Sequence, residues 1–193
     1  MDFSYGPPKH GHSRPGKSGE IISRQLKFCN PLSKFKLAYP GQFQSLKKNE
    51  RYLLIDDGTF TGDQLAEFLK TSGKHLVDSN QSGIVVGLAH TEAIQSLTTA
   101  YPTIPLFYGE KITHQECFET MCRNWIEDGM WPYPSIDPLS QYNQIVKSVK
   151  FDDNLALGYG NLGCMVAYEH GIPDNSLQLL WDRSLKWNPL IAR

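Results

Sequence analysis

This sequence has few cysteines, almost no net charge and no long hydrophobic run. Its 193 residues include 4 cysteines, too few and too irregularly spaced for a disulfide framework or a zinc ribbon, so buried reduced thiols are expected. A formal net charge of −1 argues against nucleic-acid binding over the whole surface, and nucleic acid is expected only through a partner. No apolar stretch approaches the roughly 20 residues that span a bilayer.

What is present is the composition of an ordinary globular protein. Hydrophobic residues make up 40% of the chain and charged residues 20%, as in folded domains. Without internal repeats or a linker, we expect a single domain over residues 1–193, with a flexible N-terminal loop over residues 1–17. The first eight residues lack the basic-then-apolar pattern of a signal peptide. We therefore expect a cytoplasmic protein that does not enter a membrane.

The most informative stretch is residues 52–65, which read YLLIDDGTFTGDQL. The apolar run predicts a buried strand that ends at Ile55, followed by the carboxylates of Asp56 and Asp57 and by a helix over residues 65–72. Strand, polar turn and helix start form anion sites in open α/β folds, because N–H groups at a helix N-terminus can hold a phosphate. The paired carboxylates can accept hydrogen bonds from vicinal hydroxyls. Together these groups suit a phosphorylated sugar.

The same stretch resembles the fingerprint of type I phosphoribosyltransferases: four apolar residues, two acidic ones, three variable ones, Thr or Ser, then Gly. The resemblance implies that Asp56 and Asp57 contact the ribose hydroxyls of phosphoribosyl pyrophosphate (PRPP) and stabilise positive charge on the sugar during transfer. It also implies that the following loop holds the 5-phosphate. The residues of this loop are Gly58, Thr59, Phe60, Thr61, Gly62, Asp63 and Gln64.

The loop departs from that fingerprint at two points. Phe60 stands where the family usually has an acid close to the reacting base, and Asp63 and Gln64 replace the usual Gly and Thr. These departures favour sugar-phosphate binding over ordinary nucleobase transfer and leave the acceptor open. A structural alternative also stays open, in which Thr61 or Asp63 caps the turn and the acidic pair is merely solvated.

The order of predicted elements gives the fold class. Strands at residues 51–55, 83–90 and 104–108 alternate with helices, which predicts a Rossmann-like open parallel sheet flanked by helices, the fold of type I phosphoribosyltransferases. Thr91 is predicted to cap the helix after the second strand, and Gly73 to stop the one before it. Further predicted elements are helices over residues 20–29, 114–127 and 139–149, a turn-rich basic connection over 32–49, and a strand over 164–168.

Residues 11–18 match the P-loop expression G-x-x-x-x-G-K-[ST] letter for letter. A P-loop needs a buried strand just before it, and Pro7 and Pro8 argue against such a strand. The resemblance implies a different role, in which an early loop contacts pyrophosphate and Lys17 supplies charge while Ser18 supplies a donor. The alternative is a basic, mobile N-terminal arm.

The C-terminal part adds to the resemblance. A Gly-Tyr-Gly segment, an apolar run, HGIPDN at residues 170–175 and Trp181 are similar to a bacterial PRTase-CE-like group, often encoded in phage-defence and retron operons. The resemblance implies that His170 and Asn175 contact the substrate. His170 either acts on a base or serves as a structural donor, and Asn175 either reads a base edge or caps a turn. Trp181 and Trp187 are more typical of core anchors than of stacking platforms.

The resemblance implies a phosphoribosyltransferase-like enzyme that binds PRPP or a related ribose-5-phosphate nucleotide. Magnesium is expected to arrive bound to the substrate, with no metal ligand set of the protein's own. The implied setting is an anti-phage, retron-type defence system with an operon-encoded protein partner, and assembly into a homo-oligomer stays open. The alternative is a catalytically inactive nucleotide sensor that regulates a partner protein.

Overall fold

The structure, a computed structural model, describes residues 2–5, 22, 25, 36–38, 51–71, 73–78, 81–169 and 171–190. Backbone contacts divide the chain into two compact units, Met1–Lys111 and Ile112–Arg193, which we call unit 1 and unit 2. The expectation of a single domain over the whole chain stays a prediction.

A five-stranded sheet forms the centre of the described part of unit 1. Its strands are β1 (Asp2–Tyr5), β2 (Lys36–Ala38), β3 (Tyr52–Thr59), β4 (Ser82–His90) and β5 (Leu106–Ile112). Their order is β2-β1-β3-β4-β5, and the pairs β1–β2, β1–β3 and β3–β4 are parallel. This is an order of doubly wound α/β sheets. The predicted class, α/β with a Rossmann-like open sheet flanked by helices, is confirmed.

In the described part of unit 1, the helices that come after β3 are α1 (Asp63–Lys70), α2 (Lys74–Asp78) and α3 (Thr91–Ala100). Their apolar side chains pack against β3 and β4, and each fully buried Leu or Phe contributes roughly 1.5–3 kcal/mol. The buried cluster comprises Tyr52, Leu54, Leu65, Phe68, Leu69, Leu76, Ile84, Val86, Ala89, Ala93, Leu97 and Ile104.

The predicted end of α1 is confirmed. The N–H of Gly73 donates to the carbonyl of Phe68 at 2.8 Å, which closes the last turn two residues beyond the cap residue Thr71. The start of α3 differs from the prediction. Its N-cap is His90, whose Nδ1 accepts the N–H of Glu92 at 3.3 Å, and Thr91 is the first helical residue. An imidazole nitrogen therefore takes the place expected of a hydroxyl.

Two strands lie where loops were predicted. Residues 2–5 form β1, between β2 and β3, and β2 lies inside the connection predicted as turns. Strands of three or four residues are too short to show a period, and backbone pairing with distant residues decides them. β1 ends at Tyr5, before Pro7 and Pro8, so the prediction that no strand comes directly before residues 11–18 stays a prediction. Those residues themselves lie outside the described part of the chain.

The observed bounds of two strands also differ from the predicted ones. β3 continues through Asp56 and Asp57 to Thr59, where the prediction ended it at Ile55. Carboxylates do not stop this strand because it keeps its parallel partner, β4, on one side. β5 starts two residues later than predicted and ends at Ile112. Of the predicted helix over residues 20–29, Ile22 and Gln25 are described, and both are helical.

Unit 2 has fewer regular elements. Its α-helices within the described residues are α4 (Phe118–Glu127), α5 (Pro138–Ser148) and α6 (Gln178–Trp181), with single 3-10 turns at His114–Glu116, Asp153–Leu155 and Tyr159–Asn161. The helix predicted over residues 139–149 is confirmed, with Asp137 as its N-cap and Pro138 at its start. The helix predicted over 114–127 is broken at Cys117, which is extended.

The strand predicted over residues 164–168 is wrong. Cys164 and Tyr168 make only isolated bridges, because the neighbouring segments are turns that offer no continuous ladder. The core of unit 2 gathers around Phe118, Cys122, Tyr142, Val146 and Leu179.

Trp187 packs against this core and donates its indole N–H to Leu179 at 2.8 Å, which agrees with the prediction of a core anchor. Trp181 is half-buried and donates to the carbonyl of Ser176 at 3.0 Å. Cys117, Cys122 and Cys164 are buried thiols, as expected, and Cys29 lies outside the described residues. Among the described helices, none has the length and apolarity that a membrane span requires.

Candidate ligand site

The candidate site lies where the strand order of the sheet changes direction. β1 ends at Tyr5, which pairs with Ile55 of β3, and the next residue of β3 is Asp56. β4 continues alongside, with Val86 opposite Asp56. The acidic pair therefore lies immediately beyond the carboxyl end of β1. At this point the connections that follow β1 and β3 lead in opposite directions along the sheet. In open α/β sheets this is the position at which ligands bind.

The two carboxylates differ in their surroundings. Asp56 is 7% exposed, whereas Asp57 is half-buried. Oδ1 of Asp56 accepts the N–H of Asp57 at 3.0 Å, and Oδ1 of Asp57 accepts the N–H of Gly58 at 2.9 Å. Successive side chains of a strand point to opposite faces of the sheet. Because β3 runs through both residues, the carboxylates diverge, and the pair lies within the strand, whereas the sequence predicted that the strand ends just before it.

The loop between β3 and α1 turns at Gly62. This glycine has φ +86, and a Cβ there would lie 3.3 Å from Cα of Ala93 and from Cγ of Leu97. Glycine adopts this left-handed conformation with the least strain, and any larger residue would crowd α3. Gly62 is also the N-cap of α1, so neither Thr61 nor Asp63, the predicted alternatives, holds that position.

The N-cap residue of α1 is a glycine and therefore has no side chain that could accept a hydrogen bond from the first turn. The neighbouring Thr61 Oγ1 accepts the N–H of Asp63 at 3.3 Å. The first N–H groups of a helix have no partner inside the helix and carry its positive dipole end. The beginning of α1 therefore offers backbone donors to an anion close to Asp57 in the chain. Gln64 is exposed in this turn.

Phe60 occupies the loop position at which the family fingerprint has an acid. Its side chain is 7% exposed, and its carbonyl accepts the N–H of Ala93 at 3.1 Å. The aromatic ring is thus part of the interior of unit 1, and the carbonyl ties the loop to α3. Phe60 and the buried Thr59 shape the loop, while Gly58 and Thr61 are half-buried.

Two glycines that the sequence reading passed over lie beside the acidic pair. A Cβ on Gly87 would meet the carbonyl oxygen of Asp57 at 2.7 Å, and one on Gly109 would meet the carbonyl oxygen of Gly87 at 2.9 Å. Both glycines are exposed although they belong to strands. Next to Asp57, neighbouring strands therefore approach each other at positions that carry no side chain. The signal was present in the sequence, because glycine inside a strand often marks a close approach.

His90 is a second residue that the sequence reading did not single out. It ends β4 at the same edge of the sheet as the acidic pair and is fully buried. Its Nδ1 accepts the N–H of Glu92, so the ring fixes the start of α3. The signal was its place between an apolar strand and a helix.

The other predicted site residues lie in unit 2 or outside the described residues. Asn175 belongs to unit 2, where its Nδ2 donates to the carbonyl of Tyr159 at 2.9 Å. This bond ties Asn175 to an earlier turn of unit 2, and both predicted roles of Asn175, reading a base edge or capping the following turn, stay predictions. Lys17, Ser18 and His170 lie outside the described residues, and their substrate contacts stay predictions.

Comparison with known families agrees with the geometry. The family model PRTase-CE matches residues 10–193, which is nearly the whole chain. No curated protein matches the sequence. The matched segment includes β3, the acidic pair and the loop that starts α1, together with all of unit 2.

Proposed function

Because the chain belongs to the PRTase-CE family and is phosphoribosyltransferase-like, we propose that unit 1 binds a 5-phosphorylated ribose, PRPP or a related nucleotide. The observation that carries this proposal is the position of Asp56 and Asp57. They follow directly on the residue of β3 that pairs with the end of β1. Asp57, the more exposed of the two carboxylates, suits the vicinal ribose hydroxyls, which donate hydrogen bonds to it, and Asp56 on the other face of the strand adds negative charge close by.

The phosphate has a complementary place in the same loop. The uncapped first turn of α1 offers backbone N–H donors, and Gly62 gives the turn that brings those donors back toward β3. Gly87 lets the carbonyl of Asp57 approach β4 closely, because a Cβ there would lie 2.7 Å from that oxygen. The carboxylates and the donors are a few residues apart on one strand–loop–helix unit, as a ribose 5-phosphate requires.

In this proposal the chemistry is transfer of the phosphoribosyl group through a ribosyl cation. Asp56 and Asp57 stabilise positive charge that develops on the sugar as pyrophosphate departs. Lys17 and Ser18 are proposed to contact the pyrophosphate, and His170 and Asn175 the acceptor side. Magnesium fits the oxygen-rich donor set and would enter with the pyrophosphate, whose charge it offsets.

Calorimetry of the full chain with PRPP and magnesium tests binding. We expect binding by the wild type and a loss of about tenfold or more in affinity when Asp57→Asn removes the charge of the more exposed carboxylate. Glu67→Gln, an exposed carboxylate on α1, is the matched control and keeps the wild-type affinity. Equal affinities of wild type and Asp57→Asn, with folding verified by circular dichroism, would refute the assignment.

A second candidate is a nucleotide sensor without turnover. Phe60 favours it, because a buried ring tied to α3 supplies no general base where the fingerprint has an acid. Pyrophosphate release, measured with a panel of nucleobases and nucleosides, separates the two functions. Release above the uncatalysed rate supports transfer, and calorimetric binding without release supports the sensor.

We further propose, from the family resemblance, a role in bacterial anti-phage defence together with a protein partner. Expression of the chain alone in bacteria is then expected to arrest growth, and the double change Asp56→Asn and Asp57→Asn is expected to relieve the arrest. An arrest that persists at equal protein levels in the double variant would separate toxicity from the sugar-phosphate site.

A further inference from the structure

Unit 2 presents a folded aromatic loop whose apolar side chains lie in solvent. Residues 125–137 comprise the last residues of α4 and the loop that joins it to α5, and we call this segment the tryptophan loop. Trp125 and Trp131 have nearly parallel rings, with an interplanar angle of 9° and centroids 6.4 Å apart, and Tyr133 meets the ring of Trp131 edge-on at 5.6 Å. These contacts fix the aromatic side chains relative to one another.

Local hydrogen bonds hold the loop in one shape. The indole N–H of Trp131 donates to the carbonyl of Ile136 at 2.7 Å, and the backbone N–H of Trp131 donates to Trp125 at 2.9 Å. Gly129 makes the turn with φ +67. A loop ordered in this way pays little conformational entropy when it binds a partner.

The loop nevertheless exposes four large apolar side chains. Ile126, Met130, Tyr133 and Ile136 are 41–61% exposed, and they account for four of the ten large hydrophobic residues described as exposed. A concentration of exposed apolar and aromatic groups on one element is typical of interaction sites, whereas scattered exposed residues are ordinary. Aromatic residues held in place are also the usual energetic centres of protein interfaces.

The charge of the loop selects the kind of partner. Glu127 and Asp128 are exposed, and Asp137 follows at the start of α5. No lysine or arginine occurs between residues 124 and 146. Acidic groups beside aromatic faces attract lysine and arginine, both through charge and through the faces of the rings.

We propose that the tryptophan loop is a docking surface for a partner protein segment that carries lysine or arginine beside an apolar anchor. The apolar anchor covers Ile126, Met130 and Ile136, and the basic side chains meet Glu127 and Asp128. This surface does not depend on the sugar-phosphate site of unit 1, so either assignment can fail without the other.

Selection of a random twelve-residue peptide display library on the full chain tests the proposal. We expect enrichment of peptides that combine basic residues with an aromatic or aliphatic residue. Synthetic copies of these peptides should lose about tenfold or more in affinity for the triple variant Ile126→Ala, Met130→Ser and Ile136→Ser. The double variant Met165→Ser and Leu185→Ser removes exposed apolar side chains elsewhere in unit 2 and should bind normally.

A separate variant tests whether the negative charges of the loop contribute to binding. Glu127→Gln with Asp128→Asn should weaken the same peptides about threefold to tenfold, and added salt should reduce this difference. Enrichment of peptides without basic residues, undiminished binding to the triple variant, or no enrichment would overturn the proposal. So would a wild-type dimer that the triple variant converts to a monomer in light scattering, because the occupant would then be a second copy of the chain.

Discussion

Unit 1 and unit 2 are stabilised in different ways. In unit 1, parallel strands and the helices α1, α2 and α3 bury one continuous apolar cluster. In unit 2, side chains bond to the backbone of distant turns: Tyr142 donates to the carbonyl of Ala156, Asn175 to that of Tyr159, and Ser176 to that of Val166. The first kind of structure follows from a pattern of hydrophobicity. The second depends on individual residues, each of which satisfies a particular carbonyl group.

The unfolding of the two units can be followed separately, because all four tryptophans lie in unit 2. Intrinsic tryptophan fluorescence therefore reports on unit 2, and hydrogen exchange of the amides in β3 and β4 reports on unit 1.

The largest effect is expected at Gly158 of unit 2. Its φ is +77, and a Cβ there would lie 2.4 Å from the carbonyl oxygen of Ser176 and 2.6 Å from the carbonyl carbon of Asn175. Backbone atoms cannot move aside as a flexible side chain does, so Gly158→Ala should lower the free energy of unfolding by about 3–5 kcal/mol. Urea unfolding followed by tryptophan fluorescence measures this.

Gly129→Ala is the matched control for Gly158→Ala. Gly129 also has positive φ, at +67, but nothing lies within 4 Å of its Cβ position. Only the backbone strain remains, about 1–2 kcal/mol. Equal losses at the two glycines would show that the close approach at Gly158 contributes nothing.

The next effect belongs to the core of unit 1. Leu54 is 2% exposed, and Leu54→Ala should cost about 2–4 kcal/mol because it leaves a cavity among the side chains of β3, β4 and the helices. Leu53, its half-buried neighbour on the other face of β3, is the control, and Leu53→Ala should cost about 1 kcal/mol. Hydrogen exchange in β3 and β4 gives both values. A loss at Leu53 as large as that at Leu54 would contradict the described faces of the strand.

The same contrast explains how much of the fold could be predicted. The strand through Ile55, β4 and α1 were visible in the sequence because long apolar runs and a helical stripe have a period. β1 and β2 were missed because only pairing with distant residues makes strands of three or four residues. In unit 2, the apolar run at residues 164–168 has the composition of a strand, but among the described residues it makes isolated bridges and no continuous ladder.

Much of the candidate site could also be predicted, since the acidic pair, the glycine turn and the helix start are neighbours in the chain. What the sequence did not show was their relation to other elements. Phe60 is inside because α3 packs over the loop, and Gly87 matters because the carbonyl of Asp57 approaches it. Both contacts join residues that are about 30 positions apart, so no local pattern reports them.

A smaller effect should appear in alkaline solution and involves two groups of unit 2. Burial raises the pKa of Tyr142 to about 12, although the backbone N–H groups of Leu179 and Gln178 lower it. Burial also raises the pKa of Cys122 to about 11, helped by the negative charges of Asp137 and Glu119. Both groups are therefore protonated in the folded chain at pH values where they ionise in the unfolded chain.

The unfolded state thus binds fewer protons than the folded state above pH 9, so stability falls as the pH rises. The loss begins near pH 9, the usual pKa of a thiol, and continues toward the folded pKa of Tyr142. We expect a decline of about 1–2 kcal/mol in the unfolding free energy of unit 2 between pH 8.5 and 11. Cys122→Ala should remove the first part of it. A stability that is flat over this range would contradict the burial of both groups.

The smallest effect compares one hydroxyl in each unit. Thr113 forms a capping box: its Oγ1 accepts the N–H of Gln115, and Glu116 accepts the N–H of Thr113 at 2.7 Å. Thr113→Ala should cost about 1 kcal/mol, because the 3-10 turn loses its cap and no sheet hydrogen bonds take the place of the lost ones.

In unit 1, Thr98 donates to the carbonyl of Ile94 at 2.6 Å within α3, where that carbonyl already has a helical partner. Thr98→Ala should therefore be neutral or stabilising by up to about 0.5 kcal/mol. Urea unfolding of both variants decides the point: if Thr98→Ala costs as much as Thr113→Ala, side-chain bonds to the backbone matter equally in the two units, and the distinction between them fails.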